Sequence, residues 1–162
     1  MCFAAAFGYT LNTPKTYTSN TILIPASSFE VNRYMNLSFK TGIEISAEKL
    51  MSSYRQNWLR PGVIEDSLVS TGLIDQSDFQ SEKDFEEEVA LMAASVTLEK
   101  VATSDKDLAA NPDLATHWQI IFETSQPDAW LKALKLIDRK ATLATKEDFI
   151  QEYEMWSKVE AT

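Results

Sequence analysis

A change in hydrophobic spacing at Ser46 divides the chain into two kinds of segment. Before it, in NLSFKTGIEIS, large apolar side chains alternate with small or polar ones, which places Leu37, Phe39 and Ile43 on one face. This two-residue period is typical of an antiparallel strand with one buried and one solvated face. After Ser46 the apolar residues recur every three or four positions, as in amphipathic helices. The sequence therefore predicts an α+β fold, with two or three N-terminal antiparallel strands followed by five or six packed helices.

The first 28 residues contain two further strand-like runs. In MCFAAAFGYTL the large side chains lie at odd positions, and a Thr- and Asn-rich connector, LNTPKTYTSN, leads to the short strand TILIPA, which ends at Pro25. Residues 1–28 carry one charged side chain, Lys15. We expect them either to complete the protein's own sheet or to form an extended N-terminal arm that docks on a neighbouring subunit. The candidate docking residues of this segment are Phe3, Phe7, Tyr9 and Leu11.

Cap and stop signals predict where the first three helices begin and end. The first starts after Ser46, has an apolar stripe of Leu50, Met51, Tyr54 and Trp58, and stops at Pro61, and the second closes at Gly72. The third begins at Ser81, has Asp84 three residues later, and is predicted to continue to Ala102, with a second apolar face of Leu91, Ala94, Leu98 and Val101. Its later part is apolar most of the way round, so this helix is expected to lie in the core or to face a partner.

Three more helices are predicted in the C-terminal third of the chain. Their starts are marked by Asn111 before Pro112, by Ser125, and by Thr145 with Asp148 three residues later. The apolar residues at helical spacing predict an aromatic-rich inward face for each. These faces are Leu114, Trp118, Ile121 and Phe122, then Trp130, Leu134 and Ile137, then Phe149, Tyr153 and Trp156.

Length and charge limit the domain organisation and the class of partner. The 162 residues, 44% of them hydrophobic, support a single domain over 1–162, with an amphipathic strand at 36–46 and a mainly helical part at 47–158. The net charge of -9 is uneven, being +3 over residues 1–60 and -12 over residues 61–162. This acidic balance disfavours direct nucleic-acid binding and favours another protein with a basic surface, or copies of the chain itself. Candidate partner-binding residues are Glu86, Glu87 and Glu88, which also favour the positive end of the third helix.

Several kinds of chemistry lack the residues that they need. One histidine, His117, and one cysteine exclude a histidine pair, an internal disulfide and a cysteine zinc site. Four glycines in no phosphate-binding pattern disfavour nucleotide chemistry, and the acidic stretch DQSDFQSEKDFEEE lacks the glycine and ligand spacing of a calcium loop. No cofactor, metal or membrane span is therefore expected. The single cysteine fits a reducing compartment, so the cytoplasm is the expected location.

Cys2 is the one candidate nucleophile at the start of the chain. If Met1 is removed, the free α-amine can act as the base for its own thiol. This cysteine on a predicted strand resembles the opening of the N-terminal-nucleophile amide hydrolases, and the resemblance covers Cys2 and the strand after it. It implies an alternative function as a cysteine amide hydrolase. The other interpretation is that Cys2 packs as a compact hydrophobe on the small-residue face of the strand.

The remaining and favoured class is a noncatalytic protein that acts by binding another protein. Such a protein would be a subunit or assembly factor of a larger complex, or a small acidic inhibitor or immunity-type partner. A third hypothesis is a mimic of nucleic-acid charge, which requires carboxylates aligned at phosphate-like spacing on one surface.

Overall fold

The computed structural model describes residues 16–24, 31, 45–101, 104–110 and 117–160. Within these ranges the chain forms three strands and five α-helices, with a short 3₁₀ turn at Gln76–Asp78. In chain order the elements are β1 (Tyr17–Leu23), α1 (Ala47–Trp58), α2 (Pro61–Ser70), α3 (Glu82–Ser95), β2 (Thr97–Lys100), α4 (Asp105–Ala110), β3 (Trp118–Thr124) and α5 (Pro127–Glu160).

The described strands form one antiparallel sheet in the order β1-β3-β2. β1 pairs over its whole length with β3, with Tyr17 opposite Thr124. β2 pairs with the first four residues of β3, with Thr97 opposite Ile121. The α+β class is confirmed, but the prediction that the strands precede all the helices is wrong, because β2 and β3 follow α3 along the chain. β1 also starts earlier than predicted, since Tyr17–Asn20 belong to the strand rather than to the connector.

The predicted start of α1 and the predicted closure of α2 are confirmed by their hydrogen bonds. The Ser46 hydroxyl accepts the Lys49 backbone N–H at 3.1 Å at the start of α1. Gly72, two residues after the end of α2, has a φ of 70°, and the next N–H, of Leu73, donates to the Leu68 carbonyl at 3.1 Å. That pairing is a Schellman motif, in which a left-handed glycine satisfies carbonyls at the end of a helix.

The core lies between the sheet and helices α1, α2, α3 and α5. Its most deeply buried large side chains come from four elements and are Trp58, Leu68, Ile120 and Ile137. The Phe122 and Trp130 rings pack together with centroids 4.3 Å apart. Each aromatic side chain of this kind removes about 150 to 250 Å² from water, on the order of 4 to 6 kcal/mol before ordering entropy is subtracted. The prediction that Trp58, Trp130 and Ile137 face inward is confirmed.

Polar side chains join α1 to α5 along one seam. The buried Asn57 amide donates from Nδ2 to Thr145 Oγ1 at 3.1 Å and to Asp148 Oδ2 at 2.7 Å. At the other end of the seam, Lys49 Nζ lies 2.8 Å from Glu152 Oε1. These contacts hold the two helices in an antiparallel alignment.

Three predicted helical features are wrong. α3 ends at Ser95 rather than at Ala102, and residues 97–100 form β2. The residues predicted as a helical face at Trp118, Ile121 and Phe122 belong to β3, where Ile120, Phe122 and Thr124 alternate as the buried set. Thr145 and Asp148 start no separate helix, because α5 runs without interruption from Pro127 to Glu160. The predicted strand at 1–11, residues 36–44 of the predicted strand at 36–46, and Leu114 lie outside the described residues.

Candidate protein-binding surface

The acidic turns of α3 are held in place by a cap that the sequence predicts. The Ser81 hydroxyl accepts the Asp84 backbone N–H at 3.1 Å, and Glu82 and Asp84 occupy the first turn. Carboxylates near this end interact favourably with the partial positive charge of the helix. The helix therefore starts at a defined residue, which sets the direction of every side chain that follows.

The three candidate glutamates of α3 point in different directions. All three are exposed. Glu87 Oε1 lies 3.3 Å from Lys83 Nζ one turn earlier, in a solvent-exposed ion pair. Glu88 lines a cavity between α3 and the end of β3. Glu86 is two residues away from Glu88 and so lies about 200° around the helix axis, on a different side of α3.

We call this cavity the α3–β3 groove. It has a volume of about 320 Å³ and is open on one side. It is lined by Leu73, Glu88, Leu91, Met92, Ser95 and residues 122–126. Four of these side chains lie at i, i+3, i+4 and i+7 of α3, so one face of the helix forms a complete wall.

The floor of the groove is apolar. Leu73 and Phe122 are buried there, and Met92 is half-buried beside them. Leu91 lies on the same wall, yet 66% of its surface is exposed. A large apolar side chain on the rim of a concave apolar floor offers surface that a partner can remove from water.

The charged side chains that line the groove are all acidic. Glu88 and Glu123 both line it, and among the described lining residues there is no Lys or Arg. Two polar groups of the lining are hydrogen-bonded within the chain, since Ser95 Oγ donates to the Met92 carbonyl at 2.7 Å and Thr124 Oγ1 accepts the Gln126 N–H at 2.9 Å. The two carboxylates are the charged groups of the lining that can interact with an incoming positive charge.

A second cavity, of about 310 Å³, lies between the end of β1 and helices α1 and α5. There the Tyr54 hydroxyl donates to Asp138 Oδ1 at 2.5 Å. Partial burial, together with the hydrogen bond and negative charge of Asp138, raises the pKa of Tyr54 far above its usual range. Tyr54 therefore stays protonated at neutral pH and acts as a hydrogen-bond donor that ties α1 to α5.

Of the predicted site residues that the structure describes, one lies in the groove. Glu88 is in the groove, whereas Glu86 and Glu87 lie outside its lining. The alternative nucleophile Cys2 and the predicted docking residues Phe3, Phe7, Tyr9 and Leu11 lie outside the described residues.

Sequence reasoning missed most of the groove. The one available signal is the second apolar face predicted for α3, which includes Leu91. The sequence predicts a helix rather than a strand for the segment of Phe122 and Glu123, and a contact between α3 and β3 leaves no local pattern in the sequence.

Comparison with known protein families and with curated proteins gave no match to this chain. In the part of the chain that the structure describes, no group of three or more His, Cys, Asp or Glu side chains is placed to hold a metal ion. None of the helices within the described ranges combines the length and the hydropathy that crossing a bilayer requires.

Proposed function

We propose that this protein is noncatalytic and acts by binding another protein at the α3–β3 groove. The observation that carries the proposal is the 66% exposure of Leu91 on the wall of a concave apolar site. Full burial of a leucine contributes about 1.5 to 3 kcal/mol, so burying the exposed two thirds of Leu91 contributes about 1 to 2 kcal/mol to binding.

Charge supports a partner with a basic surface. Glu88 and Glu123 border the groove, and residues 61–162 carry a net charge of -12. Such a surface raises the rate of association with a basic protein and disfavours acidic competitors. A subunit or assembly factor of a larger complex, or a small acidic inhibitor, would use a site of this kind.

Quantitative affinity capture with matched variants tests the proposal. The bait proteins are wild type, Leu91→Ala and Glu88→Lys, with Leu131→Ala and Glu86→Lys as controls. Leu131 is also exposed, on α5, and Glu86 carries the same charge as Glu88 on another side of α3. Each bait is incubated with an extract of the native host after circular dichroism has shown that it is folded.

We expect wild type and both controls to capture the same protein in equal amounts. Each groove variant should capture at least about fivefold less of it, which corresponds to a loss of about 1 kcal/mol in binding free energy. Equal capture by all five baits would refute the assignment of the groove as the binding site. Loss of capture with the controls as well would show that the effect is not specific to the groove.

A further inference from the structure

The wall that α3 contributes to the groove has the dimensions of a helix-binding surface. From Glu88 to Ser95 it extends over eight residues, about 10 Å along the axis and about two turns. A second helix that lies against it presents anchors at i, i+3 or i+4 and i+7, which repeat over the same length.

The other wall offers little to an added strand. β3 is paired with β1 along all seven of its residues. On the side of β2 the ladder covers its first four residues, so within the described part only Phe122–Thr124 extend beyond it. Three residues give a short row of backbone hydrogen bonds, whereas the backbone of a bound helix satisfies its own polar groups.

The charges define the composition of that helix. An apolar stripe is needed over Leu91, Met92 and Phe122, and positive charges are needed beside Glu88 and Glu123. These glutamates come from different walls, so basic residues on both flanks of the apolar stripe match them. Acidic residues at the same positions would be repelled.

We propose that the α3–β3 groove binds a basic amphipathic helix, with its apolar residues on the groove floor and Lys or Arg beside Glu88 and Glu123. This inference rests on the proposed function and specifies the partner element that the groove recognises.

A designed peptide tests the inference directly. The probe is a Leu/Lys peptide about four helical turns long, with leucines at i, i+3, i+4 and i+7. One control peptide has the same composition with leucines at every second position, and another replaces lysine by glutamate. Binding to the full-length protein is measured by fluorescence anisotropy at low and moderate salt, and the site is mapped by methyl and amide NMR shifts.

The helical basic peptide is expected to shift the signals of Leu91 and Met92 and to bind at least about tenfold more tightly than either control peptide. Leu91→Ala and Glu88→Lys are expected to weaken binding about five- to tenfold, and Glu88→Lys also reduces the salt dependence. Glu86→Lys, the matched charge control, is expected to stay within about twofold of wild type.

Equal binding of the alternating peptide, or shifts located away from the groove, would overturn the helix proposal. Self-association of the protein that depends on Leu91, measured by sedimentation velocity, would assign the groove to a second copy and would also overturn it. If the peptide fails while capture from the extract still depends on Leu91, the helix inference falls and the proposed function stands. If neither depends on Leu91, both fall.

Discussion

Replacing Asn57 by alanine is expected to destabilise the protein by about 2 to 3 kcal/mol. The change removes a hydrogen bond to Thr145 worth about 1 kcal/mol, and one to the Asp148 carboxylate worth about 1.5 kcal/mol because that carboxylate is exposed and water replaces the amide. The void left at a residue that is 1% exposed costs about 1 kcal/mol more. Asn57 Oδ1 is buried without a hydrogen-bond partner within the described structure, so removing this oxygen offsets about 1 kcal/mol of the lost stability.

Urea unfolding followed by circular dichroism measures this loss, and a double-mutant cycle isolates the seam contact. Thr145→Val in combination with Asn57→Ala should show a coupling energy of about 1 kcal/mol. Thr142→Val is the matched control, because Thr142 is exposed on the same helix and makes no hydrogen bond to Asn57 in the described part. A total loss below about 0.5 kcal/mol, or equal coupling for the two threonines, would refute the role of Asn57 as the buried link between α1 and α5.

Two further predictions concern pH and backbone conformation. Because the pKa of Tyr54 is raised in the folded state, the folded protein holds a proton that the unfolded chain releases above about pH 10, so stability is expected to fall as the pH rises beyond that value. Tyr54→Phe should reduce this dependence in urea unfolding at alkaline pH, and an unchanged slope would contradict it. Gly72→Ala is expected to cost about 1 to 2 kcal/mol, because the φ of 70° disfavours a side chain although a Cβ there meets no atom within 4 Å. Gly62→Ala is the control, because a Cβ at Gly62 also meets no atom within 4 Å and Gly62 has no left-handed φ. Its effect on thermal stability should be neutral or stabilising.

The sequence predicts α1 and α2 and the start of α3 because local signals determine them. Ser46 and Ser81 each cap a helix through their own hydroxyl, and Gly72 adopts the left-handed conformation that ends α2. Each signal acts within four residues along the chain, so it is visible without knowledge of the fold. The buried positions of Trp58 and Trp130 follow from helical spacing in the same way.

The sequence does not determine β2 and β3, because short apolar runs fit both periods. Ile121 and Phe122 fit a helical stripe, but Ile120, Phe122 and Thr124 fit a strand equally well. Pairing with β1 and β2 selects the strand, and those partners lie far away in sequence. Tertiary pairing thus overrides the local pattern, as is common for strand propensity.

The Thr145 and Asp148 pair shows how a cap motif can mislead. The spacing predicts a helix start, yet the Thr145 hydroxyl donates to the Ala141 carbonyl at 2.8 Å, one turn back within α5. The side-chain amide of Asn57, on α1, donates hydrogen bonds to both Thr145 and Asp148. The motif is explained by contacts between helices rather than by the end of one.

The groove forms only if residues 97–100 and 118–124 are strands rather than helices, which the sequence does not determine. If α3 continued to Ala102, as predicted, Ser95 and Leu91 would lie in the middle of a longer helix and β3 would have no β2 beside it. Because α3 stops at Ser95 and the chain pairs with β3 from Thr97, the last two turns of the helix lie next to the end of that strand. Glu88 is the predicted residue that this arrangement places at the groove, and its distinction from Glu86 and Glu87 follows from helix geometry. An acidic run in a sequence therefore indicates the charge of a helix, while the position of each residue around the helix axis determines which carboxylate lines the groove.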